Sequence, residues 1–263
     1  RRVMRPNLFL IGAPKCGTSS LFDWLSGHPD VVGTRKKEPF FLIDPAHPLA
    51  RRPNLHEDGV EAYEGLFEPS ATDTPVRMEG TTHYLFDPVA RKEIARLPES
   101  RAIVVLREPV ARVYSSFRYT ANNLARLSSK LTFARYLELI DRGEALAPDW
   151  CHTENAYVLE RDMEYSRYVR YIAPWLETMG PEGLRIVLME DMVEDPQATV
   201  VDLLAWLGLD PSRLGPIETE GRNRTEQVRA RRLHEAARWL NSRMRPPNWV
   251  RDALKRGYAA VQY

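Results

Sequence analysis

The sequence predicts an α/β fold in which a central parallel sheet is flanked by helices on both faces. Two segments carry that expectation. Leu8 to Ile11 is an apolar run followed by a glycine-bounded loop and then a helical pattern with Leu21, Phe22 and Leu25 apolar. Ala102 to Leu106 is a second continuous apolar run, of the kind a strand buried on both faces needs, and it is followed by Arg107 and by Pro109, which can open a helix. With 263 residues and 43% hydrophobic content the chain can bury a substantial core, and it is read as one domain over residues 1–263.

The first element is a phosphate-binding loop. Strand, turn and helix N-terminus together aim backbone N–H groups and the positive end of a helix dipole into Gly12-Ala-Pro-Lys15-Cys-Gly17, and Thr18, Ser19 and Ser20 add hydroxyl donors. The ordinary nucleotide triphosphatase loop reads G-x-x-x-x-G-K-[ST], with its lysine after the second glycine and the next hydroxyl on magnesium. Here Lys15 precedes Gly17, and Thr18 stands in the lysine's place. The pattern P-x-x-G-T-S-x-L after an apolar strand resembles the 5'-phosphosulfate loop of sulfotransferases that use 3'-phosphoadenosine 5'-phosphosulfate (PAPS). That resemblance implies a P-loop-type sheet and a 5'-phosphosulfate held by Lys15, Gly17, Thr18, Ser19 and Ser20. A strand-to-helix turn with no ligand is the alternative for this motif taken alone.

The next chemical segment, Arg35 to Leu42, places three cations, one carboxylate and then Pro-Phe-Phe together. It is similar to the Lys-Glu-Pro and paired-phenylalanine segment of heparan-sulfate and related bacterial sulfotransferases, in which the glutamate is the base. An acceptor hydroxyl must lose its proton as it attacks sulfur, and burial of Glu38 against Phe40 and Phe41 would favour that role, while Lys37 pulls the other way. A solvated charged turn is the alternative. At Glu79 to Leu85 the chain reads EGTTHYL where relatives commonly have Lys-[ST]-Pro-x-Tyr; Gly80 replaces the lysine and Thr82 the proline. The departure removes a sulfate or acceptor contact and brings His83 close to the expected acceptor cleft. His83 is therefore the second candidate base, by loose analogy with cytosolic sulfotransferases, against a structural hydrogen-bonding histidine.

The strand at Ala102 to Leu106 ends in arginine, where a magnesium-dependent enzyme would end in aspartate. Ser115 lies eight residues beyond Arg107, a little over two helical turns, on a helix that could return its hydroxyl to the same anion. The pattern L-R-[DE]-P-x-x-R-x-x-S resembles the sulfotransferase element for the 3'-phosphate, which implies that Arg107 and Ser115 bind it. Leu124 to Trp150 is a candidate lid, with an amphipathic stretch, Phe133 to Ile140, flanked by polar runs. Tyr168 to Leu176, the apolar run from Arg185, Asp195-Pro196 and Val200 to Leu209 resemble the family's closing helices and strand. Glu190 and Asp191 read there as a strand end and helix cap. Arg222 and Arg224 stand where many relatives cover the adenine and 3'-phosphate, with a solvated basic face as the alternative.

Composition narrows the partners. Thirty-seven basic against thirty-six acidic residues gives net +1, so no nucleic-acid surface is expected. Two cysteines make no disulfide framework; Cys16, inside the anion loop, is either a partly activated thiol or a small packing residue. No stretch approaches eighteen apolar residues and no signal peptide opens the chain, so a cytoplasmic protein is expected, an upstream anchor staying open because the chain starts at Arg1. The expectation is a PAPS-dependent sulfotransferase acting without metal on a hydroxyl or amine of a carbohydrate, lipid or small natural product, with 3',5'-adenosine bisphosphate as coproduct. Lys15 would stabilise the leaving bisphosphate and Glu38 take the acceptor proton. The alternatives are a P-loop kinase or nucleotide triphosphatase and a non-catalytic nucleotide-binding module.

Overall fold

The computed structural model describes residues 5–68 and 73–217. They form two compact units, one from 5–68, 73–112 and 163–217 and the other from 113–162. The first unit carries the sheet. Its strands are β1 (Leu8–Gly12), β2 (Val31–Gly33), β3 (Val76–Gly80), β4 (Arg101–Leu106) and β5 (Leu184–Leu188), in the order β2-β3-β1-β4-β5. Every neighbouring pair is parallel. In β1, Leu8 to Ile11 are fully buried, as are Ala102 to Val105 in β4, and strands covered on both faces have no solvent side to alternate with. The edge strand β5 is only partly covered: Leu184 and Val187 are buried while Ile186 and Leu188 are exposed.

The helices are α1 (Thr18–Ser26), α2 (Leu55–Asp58), α3 (Pro88–Arg96), α4 (Pro109–Arg118), α5 (Phe133–Asp141), α6 (Thr153–Tyr165), α7 (Val169–Gly183, broken at Gly180), α8 (Met189–Glu194) and α9 (Pro196–Leu207). α1 packs with α9, and α3 with α7. The chain leaves β1 through α1 toward one sheet edge and returns through α3 and α7 toward the other. Right-handed crossovers in opposite directions put these helix pairs on opposite faces. Because the connections after β1 and β4 diverge, a crevice opens at the carboxyl ends of those two strands, where ligands bind in open α/β sheets. The loop after β1 and Arg107 after β4 both stand there.

Helix starts follow local chemistry. Asp87 accepts from the Ala90 N–H at 2.8 Å and Asp195 from the Ala198 N–H at 2.8 Å, each directly before a proline at the first helical position. This corrects the expectation for Glu190 and Asp191: the strand ends at Leu188, they occupy the first turn of α8, and Asp195 is the cap.

In the second unit, Phe117, Leu127, Leu131, Tyr136, Leu139 and Leu159 belong to one buried cluster. The Tyr136 hydroxyl donates to the Leu159 carbonyl at 2.8 Å. The stretch expected as a lid is therefore packed around a core of its own. Among the described residues no helix is long and apolar enough to cross a membrane.

Candidate active site

The loop after β1 is shaped by its backbone. The Ala13 N–H donates to the Val105 carbonyl at 2.8 Å, fastening the loop to β4. Lys15 takes φ 68° and Gly17 φ 79°, both left-handed, so the chain curls before entering α1. Gly17 is the N-cap, and no side chain caps this helix end. The first amides of α1 are thus available to an anion, with the helix dipole behind them. Arg107 donates from Nη1 to the Lys15 carbonyl at 3.4 Å, which sets its guanidinium against the loop. The Tyr168 hydroxyl donates to the Arg107 carbonyl at 2.9 Å and holds the end of β4 in place. Thr18 is buried, Ser19 and Ser20 half-buried.

Glu38 lies across the end of β3. Its N–H donates to the Gly80 carbonyl at 2.8 Å. Oε1 accepts from Thr82 Oγ1 at 3.0 Å and Lys37 Nζ at 3.0 Å, and Oε2 accepts from the Thr82 N–H at 3.2 Å. Lys37 Nζ also donates to Thr18 Oγ1 at 3.3 Å. One ammonium therefore joins the anion loop to the carboxylate. The pair is largely sheltered, with side chains 18% and 29% exposed. Both departures seen in EGTTHYL are filled by this arrangement. A Cβ at Gly80 would lie 3.4 Å from Lys37 Cε and 3.0 Å from Phe22 Cδ2, so Lys37 runs through the space beside that glycine. Thr82 supplies an N–H and a hydroxyl to Glu38, and a proline there would supply neither.

The sulfotransferase domain family matches residues 5–231. The chain belongs to the sulfotransferase family. It is 28% identical over 211 residues to the bifunctional heparan sulfate N-deacetylase/N-sulfotransferase 1 of Caenorhabditis elegans, covering 78% of this chain and 22% of that protein. Identity to carbohydrate sulfotransferase 15 of Mus musculus is 25% over 249 residues, covering 78% of this chain and 44% of that protein. The chain spans less than half the length of these two curated relatives. The crystal structure of a sulfotransferase from Alicyclobacillus acidocaldarius has the same fold, with a TM-score of 0.66 at 24% identity over 91% of this chain and 93% of that one.

The remaining residues that the sequence singled out are distributed unevenly. His83 lies in a 3-10 turn, Thr82–Phe86, directly after β3. Burial pushes its imidazole down to about 4, against the opposing pull of Glu38, so the ring is neutral near pH 7. Neither ring nitrogen has a hydrogen-bond partner among the described residues, and both are sealed from solvent beside the Phe40 and Phe86 rings. Of the two readings of Cys16, packing is the one that fits: the residue is fully buried, and burial pushes its thiol up to about 11. Ser115 is half-buried on α4, in the second unit. Arg222 and Arg224 lie outside the described residues.

Three residues escaped the sequence reading as site components. Lys37 was seen only as a neighbour of Glu38; its reach to Thr18 is a tertiary contact. Arg112 is fully buried and donates to Ser166 Oγ from Nε at 3.0 Å and Nη2 at 2.7 Å. It is the second arginine of the L-R-E-P-x-x-R run, which was the signal available, and its charge acts on both Cys16 and His83. Glu79, on β3, is wholly buried, and burial pushes its carboxyl up to about 7.

Proposed function

We propose that this chain transfers the sulfuryl group of PAPS, in line, to a hydroxyl or amine of an acceptor, with Glu38 as the base. The observation that carries this reading is the Lys37 ammonium, 3.3 Å from Thr18 Oγ1 and 3.0 Å from Glu38 Oε1. It puts a proton acceptor one ammonium away from a phosphate cradle. The donor set fits the cofactor: uncapped amides at the start of α1, hydroxyls at Thr18, Ser19 and Ser20, and cations at Lys15, Lys37 and Arg107. When bound, PAPS supplies the sulfuryl group, whose S–O bond to the 5'-phosphate breaks as the acceptor atom bonds sulfur and 3',5'-adenosine bisphosphate leaves.

The chain's own residues do the rest. The α1 amides and the three hydroxyls bind the 5' end, while Arg107, joined by Ser115 on the sequence pattern, takes the 3'-phosphate. Lys15 and Lys37 offset the negative charge that grows at the loop. Glu38 removes the acceptor proton, oriented for it by Thr82. His83 is the second candidate base. The names of the two curated relatives support a carbohydrate acceptor here, with a hydroxylated natural product next. The family match runs through both compact units, and we assign them to a single sulfotransferase domain. A kinase would need lysine at position 18 and a magnesium carboxylate after β4, where this chain has Thr18 and Arg107.

The test is thermal stabilisation by 3',5'-adenosine bisphosphate, magnesium-ATP and 5'-AMP, in wild type and Arg107→Ala. A ligand at ~100 times its dissociation constant adds about 2.7 kcal/mol. Stabilisation by the bisphosphate alone, lost in the variant, is expected; preference for magnesium-ATP, or no response, overturns the reading. Glu38→Gln then separates enzyme from binding module: transfer should fall roughly 10²- to 10⁴-fold with bisphosphate stabilisation intact.

A further inference from the structure

We propose that Glu79 is a positioning residue for Glu38: its buried carboxylate orients the hydroxyls from which the Glu38 turn hangs. This rests on the reading of Glu38 as the base. Glu79 Oε2 accepts from the Tyr63 hydroxyl at 2.8 Å and Oε1 from Thr81 Oγ1 at 2.8 Å, and the Tyr84 phenol is an electrostatic neighbour of the same carboxyl. A carboxylate only accepts, so the Tyr63 and Thr81 hydroxyls each spend their one proton on Glu79. The lone pairs of Thr81 Oγ1 are then turned outward to receive a backbone N–H, beside a second tie at Tyr84. Thr81 Oγ1 accepts from the Phe40 N–H at 3.4 Å, and the Tyr84 hydroxyl accepts from the Leu42 N–H at 2.8 Å. With the Glu38 N–H on the Gly80 carbonyl at 2.8 Å, residues 38, 40 and 42 are each tied to the segment that begins at the end of β3.

The turn needs such ties. Glu38 has φ 61° and Phe40 φ 57°, left-handed conformations that a side-chain-bearing residue adopts at a cost of about 1–2 kcal/mol each. The Phe41 ring also meets the Tyr63 ring, with centroids 3.9 Å apart, so the phenol that donates to Glu79 packs on the same turn. The titratable groups facing Glu79 are Tyr63 from the turn at Val60–Leu66, Tyr84 from the turn after β3, and Glu38. Burial and the neighbouring carboxylate hold both phenols well above their ordinary range, so they stay protonated donors. Glu79 itself, at about 7, changes charge near neutral pH. Once protonated it becomes a donor on one oxygen, one hydroxyl must aim its proton elsewhere, and the bond from residue 40 or 42 is weakened.

The experiment measures kcat and KM for sulfuryl transfer from about pH 5 to 9 in wild type, Glu79→Gln, Thr81→Val, Thr81→Ser and Glu38→Gln, with bisphosphate stabilisation of each. The amide of Glu79→Gln keeps the size but must donate on one side. Its kcat is expected to fall roughly 10- to 100-fold through misplacement of the base, with cofactor stabilisation unchanged. The acid limb of wild-type kcat near 7 should vanish in that variant. Thr81→Val should reproduce the loss and Thr81→Ser restore it, a pair that decides the matter even if Glu79→Gln does not fold. Wild-type kcat and pH profile in Glu79→Gln, or equal kcat in Thr81→Val and Thr81→Ser, would overturn the proposal. So would a loss of cofactor stabilisation in proportion to turnover. Full turnover in Glu38→Gln would instead sink the base assignment on which the proposal rests.

Discussion

Replacing Gly17 with alanine tests the anion cradle without touching a charged or catalytic side chain. The new Cβ would lie 2.5 Å from Met192 Cε, the end of a flexible side chain that can turn aside, so the clash itself costs little. What remains is the φ of 79°, where an alanine is less stable than glycine by about 1–2 kcal/mol. At roughly 2–4 °C per kcal/mol for a chain of this size, Tm should fall by about 2–8 °C without ligand. The strain relaxes by rotating the peptide that leads into α1, which swings the amides facing the loop away from a bound anion. A tenfold weaker dissociation constant, at a bisphosphate concentration of ~100 times the wild-type constant, cuts the ligand-induced stabilisation from about 2.7 to about 1.4 kcal/mol. Melting curves of wild type and Gly17→Ala, each with and without 3',5'-adenosine bisphosphate, read both quantities. A variant that melts lower yet gains the full wild-type increment from the ligand would refute the claim that this backbone holds the cofactor.

Lys37→Met removes the ammonium between Thr18 and Glu38 while keeping the aliphatic stem beside Gly80. Turnover should fall by about tenfold or more, whereas urea unfolding should change by no more than about 1 kcal/mol because Glu38 keeps its two hydrogen bonds from Thr82; unchanged turnover would remove Lys37 from the site. Stability should also depend on pH through two buried groups. The Glu79 carboxyl is raised from 4.5 to about 7, so the folded state holds its proton more tightly, and that stabilisation is present below about 4.5 and lost as pH rises through about 7. His83 is lowered from 6.5 to about 4, so its contribution is present above 6.5 and lost as pH falls through about 4. Urea unfolding of Glu79→Gln and of His83→Gln across this range should each lack the corresponding slope, and slopes identical to wild type in both would contradict these assignments.

Several features were legible because they are local. The runs at Leu8 to Ile11 and Ala102 to Leu106 lack alternation because both their faces are covered, and the structure places them side by side at the sheet centre. The glycine at position 17 marks a left-handed turn into α1. Arg107 follows an apolar strand, and the structure puts it against the anion loop. The stretch from Leu124 to Trp150 was less legible. It reads as a lid because its one amphipathic stretch, Phe133 to Ile140, is flanked by polar runs, and only the packing of Leu127, Leu131, Tyr136 and Leu139 with Phe117 and Leu159 shows a core.

The amino-acid sequence by itself determined the sheet class and marked the glycine-bounded loop, Arg107 and the candidate bases Glu38 and His83, since each depends on residues adjacent in the chain. The tertiary structure decided what surrounds them. Lys37 reaches Thr18, 19 positions away, and Thr82 meets Glu38 across 44. Glu79 gathers the hydroxyls of Tyr63, 16 positions away, and of Thr81. The Cys16 thiol is pushed up for the same reason that Glu79 is raised to about 7 and His83 stays neutral: burial withdraws water from a charged form, and no single stretch of sequence records how much water a folded neighbour removes.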